Sequence, residues 1–303
     1  MSHSRSRLNK ESARLANNAA RVAITLSALV SIAALLAILC FLLLNSFRAV
    51  GEVGLWEMLS GTIWRPTSSP PAFGFLPAES GSLWVTLIAI VCAMPVGVGA
   101  AVCLSEFVSG RVREVAKSLV ECIATVPSVA LGLLGMTFLV PWIRTFFSLP
   151  SGLTALAAGL MVGVLCLPTI VSISEDALTA VPDALRQGSL AMGNTKWQTA
   201  VKIVVPAAWP GIFAAILLGF GRAVGETMVV LMIAGNSGLV VQGPFEAART
   251  LPGTIAGEVA EVVRGGLHYS ALFAMALVLF LSTFVVNLIA AQVIDRSRRR
   301  WSR

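Results

Sequence analysis

Two charged residues stand four positions apart inside an otherwise uncharged run, in Gly221-Arg222-Ala223-Val224-Gly225-Glu226-Thr227. The apolar stretch around them extends from Pro210 to Ala234. If that stretch crosses a bilayer, each central charge costs from about 2.5 to over 10 kcal/mol, so it must face protein or a water-filled path. On one continuous helix, positions i and i+4 share a face, and Arg222 and Glu226 are expected to meet there. Two roles fit such a pair. It ties the helix into a bundle as a salt bridge, or Arg222 presents its guanidinium fork to an oxyanion while Glu226 holds it in place. Gly221 and Gly225 form a small-xxx-small pair on the same face, a common mark of close helix approach.

Other chemistry is poorly supplied. The five cysteines (Cys40, Cys92, Cys103, Cys122 and Cys166) all sit in apolar runs without C-x-x-C spacing and read as small buried hydrophobes. The two histidines, His3 in a polar tail and His268 at the edge of an apolar run, do not assemble a metal site with them, and no metal is expected. None of the lysines follows a glycine, which excludes a Walker A loop, so any ATP must be bound by another subunit. HExxH, Gly-x-Ser-x-Gly and paired intramembrane aspartates are absent, which argues against an intramembrane enzyme.

The elements that must position Arg222 follow from charge and hydropathy. Of 303 residues, 56% are hydrophobic and 12% charged, well under the roughly 25% charged content of soluble domains. Six apolar runs are long enough for a hydrocarbon core of about 30 Å: Val22 to Leu44, Ser82 to Leu104, Leu119 to Pro141, Leu153 to Ile173, Pro210 to Ala234 and Tyr269 to Ala291. The expected fold class is an all-α membrane protein with six transmembrane helices. The first run exceeds the 7 to 15 residues of a signal-peptide core and reads as an uncleaved anchor. With both termini inside, the inner segments hold 16 Lys and Arg and the outer loops five, as the positive-inside rule requires. That split also accounts for the net charge of +7. The basic tails are read as topology signals beside anionic lipid, and no nucleic acid is expected as a partner.

The loops differ in character. Asn45 to Gly81 is long and carries Trp56, Trp64, Phe73 and Phe75 among prolines and glycines, as a segment at the membrane interface does. Gly235 to His268 holds turn signals and a short helix near Thr254 to Val263. The inner loop from Glu175 to Val205 reads as two short helices. Pro182-Asp183 starts one and Gly193-Asn194 ends it. A second amphipathic piece, Lys196 to Val204, is expected to stop at Pro206. A helical hairpin on the inner face is a shape for docking a partner.

This loop resembles that of the ATP-binding-cassette importer permeases. Their signature is E-A-A, three residues, Gly, nine residues, then I-x-L-P, and here the register reads Gln187-Gly188-Ser189, three residues, Gly193, nine residues, Ile203, Val204, Val205, Pro206. Gln-Gly-Ser in place of E-A-A departs from the pattern in charge but not in spacing. The Arg222 segment, with Met228 and Gly235-Asn236 after it, looks like the corresponding span of one branch, the phosphate-specific importer permeases. Trp64-x-Pro66, Phe73-Gly74-x-Leu76-Pro77, Pro95 to Ser105-Glu106, and Pro127-Ser128 with Gly132 agree with that branch. Glu226-Thr227-Met228 is more similar to its PstC type than to the PstA partner.

The resemblance implies a type I importer-permease bundle in a bacterial inner membrane, with cytoplasmic tails at 1–21 and 292–303. It implies a first span at 22–44, a periplasmic loop at 45–81, and a permease core at 82–291 with its coupling loop at 175–206. It further implies a second, PstA-type permease, a cytoplasmic ATPase dimer that binds ATP and Mg, and a periplasmic phosphate-binding protein. Gln187 to Gly193 would be the coupling helix, and phosphate would pass Arg222. Thr125 and Ser128 flank Pro127, and Thr169 follows Pro168. Both prolines leave a carbonyl without its usual partner, so these hydroxyls are further candidates to line the path. In the competing reading they bond their own backbone. Glu121 reads as an interface residue. Sulfate and molybdate permeases share the loop signature. A proton-coupled secondary anion transporter, with Glu226 as carrier, is an alternative that would not need that loop.

Overall fold

In the computed structural model the backbone of residues 2–301 is described, with the side chains of residues 17–292 except 19 and 290. The side chains of the two basic tails at 1–16 and 293–303 lie outside the described residues. The chain opens with α1 (Ser2–Glu52) and a short α2 (Leu55–Ser60). A two-stranded hairpin follows, β1 (Trp64–Arg65) and β2 (Ala72–Phe73), antiparallel with Trp64 opposite Phe73. Next come α3 (Leu76–Glu106), α4 (Gly110–Ala124), α5 (Ser128–Leu134), a π turn (Gly135–Leu139) and α6 (Val140–Phe146). Then come α7 (Ala155–Thr179), α8 (Asp183–Ala191), α9 (Lys196–Thr199), a second π turn (Ala200–Val204) and α10 (Val205–Gly225). The chain ends with α11 (Met228–Ile233), α12 (Leu251–Glu258) and α13 (Leu267–Trp301).

Six helices among the described residues are long and apolar enough to span a membrane: Ala20–Glu52, Leu76–Glu106, Ser128–Phe146, Ala155–Thr179, Lys196–Gly225 and Leu267–Ile289. The central one is α7, 56% of whose apolar window is buried, against none for α1, which packs chiefly along α13. α3 and α10 flank α7, and glycines let them approach. A Cβ on Gly159 would lie 2.6 Å from Ile88 Cβ, and one on Gly219 would lie 2.8 Å from Ile170 Cγ1.

Three expectations are corrected. The third span starts at Ser128 rather than Leu119, because the chain breaks at Thr125-Val126-Pro127 and residues 110–124 form a separate helix, α4. The fifth apolar run is not one helix. α10 ends at Gly225, Glu226 is extended (φ −69°, ψ 127°), and α11 restarts at Met228. The helix expected over Lys196 to Val204 does not stop at Pro206 but continues through it into α10. Both π turns sit immediately before a Val-Pro pair, Val140-Pro141 and Val205-Pro206. The valine N–H reaches back five residues, to Gly135 O in one case and Ala200 O in the other. Widening the turn makes room for a proline that has no N–H and whose ring would clash with a regular preceding turn.

Candidate functional site

The helix break decides the geometry around Arg222. With Glu226 extended, the i, i+4 relation lapses, and among the described residues Arg222 and Glu226 form no ion pair within 4.0 Å. Glu226 instead caps the next helix, its carboxylate accepting the Val229 N–H at 3.3 Å. Arg222 Nη1 donates to Thr169 Oγ1 at 3.4 Å, across the α10–α7 contact. Among the described residues that is its one side-chain hydrogen bond, a long one for a side chain with five N–H donors, on a half-buried residue. Among the described residues, a Cβ on Gly221 or Gly225 would meet nothing within 4 Å. The close approaches of α10 are made by Gly211 and Gly219. A guanidinium with most of its fork uncommitted, beside bare glycine backbone, is suited to hold an oxyanion.

The other hydroxyls divide. Thr169 is brought to Arg222, whereas Thr125 donates to its own Cys122 carbonyl at 2.8 Å. Ser128 makes no side-chain hydrogen bond among the described residues and is not joined to Arg222.

Composition alone did not disclose the row of contacts between α4 and α7. Arg113 pairs with Glu175 and Thr179. Lys117 Nζ reaches Glu175 Oε2 at 2.8 Å and Asp176 Oδ1 at 2.5 Å. Ser172 Oγ donates to Glu121 Oε1 at 2.8 Å. The Asp176 and Glu175 carboxylates raise the pKa of Lys117 and keep it charged. The signal was present as Arg113, Lys117 and Glu121 at i, i+4 and i+8 opposite a Ser/Glu/Asp/Thr stripe, but neither strand of that pattern is conspicuous without knowing its partner.

At the same end of the bundle, α8 and α9 form the expected hairpin. Gly193 has φ +84°, which an L side chain rarely adopts, so its place at the turn is conformational. Thr195 and Gln198 form a capping box on α9. Gln187 and Gly188 are exposed, Ile203 and Pro206 are half-buried, and Ser189 turns inward to meet Thr199 at 2.9 Å. Arg186, counted in the sequence only as a loop charge, anchors the hairpin. It pairs with Glu106 at the end of α3 at 2.9 Å and donates to the Leu178 and Val181 carbonyls at 2.8 and 2.5 Å. The Glu106 carboxylate raises its pKa further. Leu185, Leu190, Met192 and Trp197 remain exposed on this surface, as an unpartnered docking face would leave them.

At the opposite end, Glu258 on α12 gathers three elements. It accepts from Trp64 Nε1 at 3.1 Å, meets His268 Nε2 at 2.8 Å and pairs with Arg249. These residues line an open cleft of about 710 Å³. The short helix expected near Thr254 to Val263 is α12, which starts three residues earlier, at Leu251, under the Thr250 cap.

Comparison with known proteins agrees with this architecture. Residues 93–300 match the family model described as "Binding-protein-dependent transport system inner membrane component". The chain is 31% identical over 271 residues to the phosphate transport system permease protein PstC of Mesorhizobium japonicum, covering 83% of this chain and 82% of that protein. It is 33% identical over 291 residues to the phosphate transport system permease protein PstA 1 of Mycobacterium tuberculosis, covering 95% and 91%. Among solved structures, the MetNI methionine ABC transporter in an inward-facing form aligns with a TM-score of 0.58 at 18% identity, over 74% of this chain and 96% of that one, a likeness of fold. The match over 93–300 and these two relatives place the chain in one family: it belongs to the inner-membrane components of binding-protein-dependent transport systems, the permease subunits of ABC importers.

Proposed function

We propose that this chain is the PstC-type permease of a phosphate importer, with both termini cytoplasmic and phosphate passing Arg222 at the break between α10 and α11. The observation that carries the reading is the guanidinium of Arg222, held at the α10–α7 contact by one long bond to Thr169 and free of Glu226. An oxyanion supplies the acceptors such a fork lacks. Two relatives above 30% identity, those of Mesorhizobium japonicum and Mycobacterium tuberculosis, are named as phosphate permeases, one of each type, and the Glu226-Thr227-Met228 motif favours PstC here.

ATP and Mg would be bound by a partner ATPase dimer, which α8 couples to the bundle, while a PstA-type permease completes the path and a periplasmic phosphate-binding protein delivers the anion. Arg186 makes α8 a rigid handle on the ends of α3 and α7, so a push from the ATPase moves both helices together.

Replacing Arg222 with Gln is expected to abolish uptake of labelled phosphate while the complex assembles at normal yield. Because the structure has no Arg222–Glu226 bridge to lose, a collapse in folded protein would count against the anion role. Competition by sulfate or molybdate as strong as by unlabelled phosphate would move the assignment to another oxyanion. Phosphate uptake in liposomes by the chain alone, with no ATPase, would instead favour a secondary transporter.

A further inference from the structure

The helix α4 is attached in an unusual way. None of its 15 residues is buried. Val112, Val115 and Leu119 are exposed on the side away from α7, while Arg113, Lys117 and Glu121 run along the side that meets it. The contacts pair antiparallel: Arg113 with Glu175 and Thr179, Lys117 with Glu175 and Asp176, Glu121 with Ser172. A helix held by side-chain polar contacts and by no buried apolar residue can leave its neighbour and return without opening a cavity.

The ladder ends beside the Arg222 site. Ser172 and Thr169 are three residues apart on α7, about 4.5 Å of axial rise and one face. The Glu121 carboxylate on Ser172 therefore lies about one helical turn from the hydroxyl that holds Arg222. Arg113 and Lys117 meet opposite charges, but Glu121 meets a neutral hydroxyl and, among the described residues, has no cation within 4.0 Å. Beyond Glu121, Thr125-Val126-Pro127 breaks the helix and provides a hinge. At its other end α4 begins at Gly110, four residues after Glu106, which Arg186 of α8 grips.

We propose that Glu121 is a gating residue: docked on Ser172, it closes the inner mouth of the Arg222 path by both bulk and charge, and α4 swings it aside when α8 moves the ends of α3 and α7. This rests on the reading of Arg222 as the phosphate site. The closed contact then belongs to the state that faces the binding protein.

The test uses the complete transporter in proteoliposomes. Glu121→Cys and Ser172→Cys are combined in a background with Cys122 and the other exposed thiols replaced, and joined with a short bis-methanethiosulfonate. Cross-linking, verified by mass, is expected to stop phosphate uptake, and reduction is expected to restore it to the level of the unlinked double-cysteine complex, with the ATPase bound throughout. Undiminished uptake by the cross-linked complex overturns the proposal. Independently, Glu121→Ala should lower binding-protein-stimulated ATP hydrolysis per assembled complex about two- to tenfold, the shift expected from losing one partly exposed hydrogen bond, and Glu121→Gln, which keeps an acceptor for Ser172 but loses the charge, should fall between Glu121→Ala and wild type. Equal hydrolysis by all three proteins also overturns it. If the wild-type complex carries no phosphate, the transport reading fails instead, and the hydrolysis comparison still judges the gate.

Discussion

The helix α7 is bound to two neighbours by different physics. Against α3 it is joined by small residues and apolar packing, with Gly159 set against Ile88 and Gly163 against Ala89, and the shared core of Val85, Ala89, Ala158 and Val162 is fully or almost fully buried. Against α4 it presents Ser172, Glu175, Asp176 and Thr179 to a helix none of whose own residues is buried. The first interface cannot loosen without exposing close-packed surface, and packed cores are bistable rather than elastic. The second exchanges side-chain contacts for water at its exposed edge at little cost. One helix thus carries a fixed wall and a movable one, and Arg222 sits where both can be felt.

Substitutions that separate the two interfaces should differ sharply in size. The largest effect belongs to the α3 side. Gly159→Leu places atoms where even a Cβ lies 2.6 Å from Ile88 and is expected to cost about 3 kcal/mol or more, read as loss of folded protein on size exclusion and in thermal unfolding in detergent. If Gly159→Leu folds with an unchanged melting temperature, the fixed wall is not fixed. A smaller effect belongs to Glu175, whose side chain is 1% exposed while Arg113 and Lys117 are about a quarter exposed. Glu175→Ala leaves both cations without their shared buried partner. Partial solvent access limits the loss to about 1 to 2 kcal/mol. The same melting assay reads it, and α4 should become accessible to limited proteolysis before the rest of the bundle melts.

What was legible in the sequence follows the same division. Apolar runs of sufficient length gave the six spans, and Pro182 and Gly193 bounded α8 because a proline at a helix start and a glycine at φ +84° act locally. Hydropathy misplaced the third span because Leu119 and Ile123, on the outward face of α4, continue the apolar composition of α5 across Pro127. Hydropathy was equally blind to the break after Gly225, where Glu226 gives up helical geometry to cap α11. The predicted Arg222–Glu226 pair assumed a continuous helix and was lost with it. Thr169 was reachable as a polar residue beside Pro168 in an apolar span. The partners of Arg186 and Glu121, 80 and 51 residues away in sequence, were not, since neither carries a local signature.

The smallest predicted effect is the most discriminating for the movable wall. Asp176 is 67% exposed and shares Lys117 with the buried Glu175. Asp176→Asn removes one of the two anions on that lysine while keeping the shape and a hydrogen-bond acceptor. An exposed ion pair contributes little, so the melting temperature should hold to within about 0.5 kcal/mol of stability. Binding-protein-stimulated ATP hydrolysis should also stay near wild type, because the closing contact made by Glu121 is untouched. If hydrolysis instead falls as far as in Glu121→Ala, the closing force is spread along the whole charged row. If neither substitution matters, α4 is a passive helix on the side of α7.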